Sequence, residues 1–89
     1  MIIRSQDKKT ITTDLNLCVY EDEWTHQFEV SNNIGMELGL YSTEEKAIKV
    51  LDMICEAYCR MEDIKCGAVQ AQKHDSFCFD MPSDEEVEV

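Results

Sequence analysis

One stretch of the chain, Ser42 to Glu62, carries a helical repeat of apolar residues, and the segments on either side alternate with a period of two. That contrast limits the fold to one long amphipathic helix combined with short strands. Ser42-Thr43-Glu44-Glu45 reads as a capping box, in which the Ser42 hydroxyl accepts from the Glu45 amide and the Glu45 carboxylate reaches back. Ala47, Ile48, Leu51, Ile54, Cys55 and Tyr58 recur at three- and four-residue spacing and make one apolar stripe, with Lys49, Asp52, Glu56 and Arg60 opposite. Glu62 would fall at the centre of that stripe, so the helix is expected to end near Arg60 to Glu62, before Gly67.

Upstream, Ile2 and Ile3 precede a polar turn at Ser5 to Lys9, and the β-branched run Thr10 to Thr13 favours a strand. Leu15, Leu17 and Val19 alternate with polar neighbours. Glu21-Asp22-Glu23 follows as a solvated acidic loop. Trp24, His26, Phe28 and Val30 then give the clearest period-two run. Ser31-Asn32-Asn33 with Gly35 signals a hairpin turn, and Met36, Leu38 and Leu40 alternate after it, leaving Tyr41 on the polar side. Downstream, Ala68 to Ser76 reads as loop or irregular strand. Phe77, Phe79 and Met81 suggest a short strand closed by Pro82. The expected architecture is α+β: an antiparallel sheet of four to five strands, one face covered by the helix. Residues 1–82 would form a single domain and 83–89 an acidic, flexible tail.

The charge balance then bears on function. Eight Lys and Arg against 19 Asp and Glu give a net charge of −11 on 89 residues. Such a chain lacks the clustered cations that neutralise phosphate, which excludes direct nucleic-acid binding through a basic face and disfavours anionic membrane surfaces. A hydrophobic fraction of 44% argues for a folded chain all the same. The N-terminus carries no secretory pattern and no segment is long and apolar enough to span a bilayer, so a cytoplasmic location with reduced cysteines is expected.

Five cysteines supply the one candidate chemical constellation. Cys55 and Cys59 lie one helical turn apart, His74 and Cys78 are also four apart, and Cys66 lies between the pairs as an alternative ligand. Four soft or borderline donors in two short-spaced pairs can hold a structural zinc, which would staple the helix to the C-terminal segment of a chain with a thin core. The same residues also read as plain thiols, Cys55 as a small hydrophobe within the stripe. His26 shares a strand face with Trp24 and Phe28 and reads as a packed histidine. With three glycines there is no phosphate-binding loop, and no nucleophile stands beside a base and an oxyanion donor, so no enzymatic activity is expected. The acidic excess points instead to a basic protein partner, with Glu21, Asp22 and Glu23 as charges and Trp24, Tyr41 and Met53 as contact anchors.

Ile3-Arg4-Ser5-Gln6-Asp7-Lys8-Lys9, Tyr41 to Ala47 with Val50-Leu51-Asp52, and Phe79-Asp80-Met81-Pro82 with Glu86-Val87-Glu88-Val89 together resemble a group of short uncharacterised proteins of low-GC Gram-positive bacteria and their phages. The likeness covers the two ends and the helix start. It implies a phage context, in which small acidic proteins act by binding host machinery; anti-CRISPR proteins are such a class. The resulting expectation is an acidic, DNA-mimicking viral inhibitor of a nucleic-acid-handling defence protein, a Cas9-type effector above all. The alternative is a zinc-stapled structural or regulatory protein-binding module, homodimeric or not.

Overall fold

A computed structural model describes residues 1–72 and 77–89. The fold is α+β, built from one helix and two small sheets. The elements are β1 (Ile2–Arg4), β2 (Ile11–Thr12), β3 (Leu17–Glu21), β4 (Phe28–Asn32), β5 (Glu37–Tyr41), α1 (Glu44–Lys65) and β6 (Cys78–Asp80), followed by a 3-10 turn at Asp84–Glu86. A single sheet of four to five strands is not what forms. The strands divide into two three-stranded sheets, ordered β2-β1-β6 and β3-β4-β5. The second is the expected antiparallel meander. In the first, β6 pairs with β1 in parallel, which requires a long connection, here spanning the second sheet and the helix.

The strand expected from Trp24 begins only at Phe28. Asp22 halts it: its Oδ1 accepts from the Trp24 and Thr25 amides at 2.8 and 3.3 Å, and its carbonyl accepts from the His26 amide. His26 takes a φ of 59° to close the turn, so its ring is exposed rather than packed. At the next hairpin the Asn32 Oδ1 accepts from the amides of Ile34 and Met36, while Gly35 supplies the positive φ.

The helix is longer and differently phased than its sequence suggests. Thr43, not Ser42, is the N-cap, its hydroxyl accepting from the Lys46 amide at 3.2 Å. Ser42 is engaged elsewhere, donating through its amide and hydroxyl to Asp84. The buried row is Ala47, Val50, Ile54 and Met61, and burial of Met61 carries the helix past Glu62 to Lys65. Gly67, at φ 83°, then turns the chain in the left-handed region.

The core gathers Ile3, Val30, Leu38, Tyr41, Ala47, Val50, Ile54, Met81 and Val87, joining both sheets to the helix. Gly39 makes room for Tyr41: a Cβ there would lie 3.0 Å from the tyrosine hydroxyl. Residues 83–89 do not run free as an acidic tail. Val87 is buried in the core, Asp84 receives Ser42, and the Lys46 ammonium donates to the Asp84 carbonyl at 2.9 Å. One buried valine and three anchoring bonds outweigh the solvation of the surrounding carboxylates.

Candidate functional site

The β3-β4-β5 sheet has one face on the helix and one face turned away from it. Cross-strand register assigns the outer face. Tyr20 pairs with Glu29, Cys18 with Ser31, and Ser31 with Glu37, so Cys18, Tyr20, Glu29, Ser31 and Glu37 share it. The Ser31 hydroxyl, fully buried, donates to the Tyr20 phenol at 2.7 Å and fixes that ring. Desolvation, followed by the like charge and hydrogen bonding of Glu29, pushes the Glu37 carboxyl above the usual carboxylate range, and Asp22 and Asp7 add to the push. This face therefore brings two carboxylates, Glu29 and Glu37, close together.

The helix side of the same sheet is apolar. An open groove of 470 Å³ is lined by Leu15 and Leu17 on one side and by Leu51, Ile54, Cys55 and Tyr58 of the helix on the other. It runs along the part of the sequence stripe that the core does not bury. Ile48 and Tyr58 stay 45% and 38% exposed and Leu15 38%, which identifies this row as a ledge beside the core row. By the helical repeat Glu44 and Glu62 end the ledge, while Glu45, Asp52, Glu56 and Asp63 run along its outer side with Lys49 and Arg60 among them.

The residues anticipated for partner contact do not form one patch. Glu21 and Glu23 are exposed and Asp22 is half-buried in the β3–β4 hairpin; Trp24, at 93% exposure, stands out from its tip. The Glu21 carboxylate lies 3.2 Å from the His26 imidazole. Met53 is half-buried on the helix flank opposite the groove. Tyr41 is not a surface anchor at all. It is fully buried, donates to the Pro82 carbonyl at 2.8 Å, and burial, together with Asp84 and Glu86, raises its phenol well above the usual value. The cause is a β-bulge. Val30 pairs with Gly39 and Ser31 with Glu37, so Leu38 is an extra residue that reverses the strand's parity and turns Tyr41 inward.

Of the proposed metal ligands, Cys55 and Cys59 are both exposed on the helix and close enough to interact. Desolvation and then the neighbouring Cys55 push the Cys59 thiol up. Cys66 caps the helix and donates to the Asp63 carbonyl at 3.4 Å. Cys78 is exposed on β6, in the other sheet, and His74 lies outside the described residues. Among the described residues no group of three or more His, Cys, Asp or Glu side chains could hold a metal ion. No helix among them is long and apolar enough to cross a membrane.

The carboxylate face and the groove were missed in the sequence, although Glu29 and Glu37 sit at polar positions of consecutive strands, a pattern that puts two acids on one sheet face. Comparison with protein families, curated proteins and solved structures gives no match to this chain.

Proposed function

We propose that this protein is a non-enzymatic acidic inhibitor that occupies a basic, nucleic-acid-handling surface of a host defence protein in the cytoplasm, in the manner of an anti-CRISPR protein, with a Cas9-type effector as the partner. The observation that carries the reading is the crowding of Glu37 against Glu29 on an exposed sheet face. Carboxylates held together at a cost to themselves are stabilised by an incoming cation, so the face favours Lys- and Arg-rich surfaces that otherwise hold phosphate. Occupying such a channel blocks loading of DNA or the conformational change that follows it.

The test is target cleavage by a Cas9-type effector with the protein in excess, alongside direct binding at several salt concentrations. Inhibition and salt-sensitive binding are expected. Glu29→Gln combined with Glu37→Gln should lower the association rate by about tenfold at low salt. Unchanged cleavage in the presence of excess protein would remove the effector as partner. Salt-independent binding would remove the electrostatic mechanism.

A second reading draws on Cys55 and Cys59, side by side on an exposed flank. There the protein is a zinc-stapled binding module. Elemental analysis of protein purified without chelator decides it: zinc at stoichiometry lost in Cys55→Ser with Cys59→Ser supports it, and metal-free protein ends it.

A further inference from the structure

The geometry points to the outer edge of β3 as a docking site for an extended segment of a partner protein, one that alternates apolar residues with lysine or arginine and adds to the sheet as a fourth strand. Three observations converge there. First, β3 is an edge strand, paired on one side with β4 alone. The hairpin bond from the Asp22 amide to the Gln27 carbonyl sets the ladder's phase: Tyr20 and Cys18 point their backbone groups at β4, and Val19 and Glu21 point theirs outward. Among the described residues no backbone partner meets Val19 or Glu21 on that side.

Second, the apolar groove begins at this edge. Leu15 and Leu17 form one wall, and Leu51, Cys55 and Tyr58 of the helix form the other. A strand added beside β3 would direct alternate side chains into that space, where they complete the layer between sheet and helix. Third, the remaining side chains of such a strand would emerge on the outer face beside Cys18 and Tyr20, with Glu29 one strand further in and Glu37 on the far strand β5, and the ledge below is rimmed by Asp52 and Glu56. Apolar inward and cationic outward is the pattern this edge complements. A second copy of the same chain, at net charge −11, would bring carboxylates against carboxylates. The inference rests on the basic-partner reading for its outward charges, and on the edge and groove for its strand and apolar row.

The probe is a synthetic peptide alternating valine with lysine. A valine–glutamate peptide and a lysine peptide without apolar residues serve as controls. Amide exchange and chemical shifts are followed on the whole protein. The valine–lysine peptide should bind, protect the amides of Val19 and Glu21, and shift Leu15 and Tyr58. Leu15→Ser, on a half-exposed side chain the fold can spare, should weaken that peptide by about tenfold and leave the lysine control unchanged. Glu29→Gln with Glu37→Gln should weaken both cationic peptides. Equal binding of the two cationic peptides with no protection at Val19 would overturn the strand-addition site and leave the basic-partner reading standing. Equal binding of the valine–glutamate peptide would overturn the charge assignment. Val19 protection that rises with protein concentration in the absence of peptide would replace the foreign strand with a second copy.

Discussion

The two edges of the β3-β4-β5 sheet are finished in opposite ways. At β5 the N-terminal loop closes the edge with a single side chain. The Gln6 Oε1 accepts from the Leu40 amide at 3.0 Å, its Nε2 donates to the Leu40 and Pro82 carbonyls, and its own amide donates to the Leu38 carbonyl at 2.7 Å. A glutamine thereby acts as a short strand, donor and acceptor at once. It also ties the second sheet to the first, because Gln6 follows β1 and Pro82 follows β6. At β3 nothing comparable occurs among the described residues, and no backbone partner among them meets the outward groups of Val19 and Glu21. The contrast separates sheet edges that the fold consumes from one that it leaves for use, since an open edge is an aggregation hazard unless charge or occupancy controls it.

Breaking the closed edge should have the largest effect. Gln6→Ala removes three part-buried side-chain bonds and leaves the Leu40 amide without its acceptor. The expected loss is about 2 kcal/mol, seen as a lower denaturation midpoint with an unchanged slope. If the midpoint does not move, the glutamine is no more than a surface contact and the two edges are alike.

The C-terminal strap reinforces the same side, and its strength is pH-dependent. Hydrogen bonds from the Ser42 amide and then its hydroxyl, with Lys46 nearby, hold the Asp84 carboxyl below its usual range. A carboxyl depressed in the folded state contributes stability that is present above its unfolded pKa and is lost as pH falls through the folded one. Asp84→Ala should therefore cost about 1 kcal/mol near neutrality, discounted for its partial exposure, and less in acid. Denaturation series at neutral and acid pH check both parts. A loss that stays constant with pH would assign the effect to packing of the strap around Val87.

What could be read in the sequence followed from local repeats. The helix, the hairpin turn around residues 32–36 and β6 all appear as short-range patterns, whereas the loop read at 21–23 extends to Gln27. The split into two sheets could not be read that way, because the β1–β6 pairing joins Arg4 to Asp80, 76 positions apart. The helix phase was ambiguous for another reason. Val50 and Met61 form one apolar row with Ala47 and Ile54, while Ile48, Cys55 and Tyr58 form a second beside it. Periodicity alone cannot say which of two adjacent rows the sheet will cover. Tyr41 was misplaced because alternation assumes unbroken pleating, and the extra residue Leu38 breaks it. The candidate site was legible only in its overall charge: Trp24 stands at the hairpin tip outside it, and the groove depends on which helix row the core covers.

The smallest expected effect tests the open side of the comparison. Glu37 is raised first by desolvation and then by Glu29. A carboxyl raised in the folded state contributes most below its unfolded pKa, and that contribution is lost as pH rises through the folded one. At neutral pH the ionised Glu37 therefore strains the fold, and Glu37→Gln should stabilise it by a few tenths of a kcal/mol, a modest gain because the side chain is exposed and screened. Glu29→Gln removes only the like-charge share, so it should gain less, and added salt should erase its gain while leaving part of the Glu37→Gln gain in place. Thermal unfolding at low and high salt separates the two contributions. If both substitutions stabilise the free protein while weakening capture of a cationic partner, the sheet face is giving up stability for recognition. If both destabilise it, the carboxylates are held by contacts within the fold, and the open face has the same structural character as the closed edge.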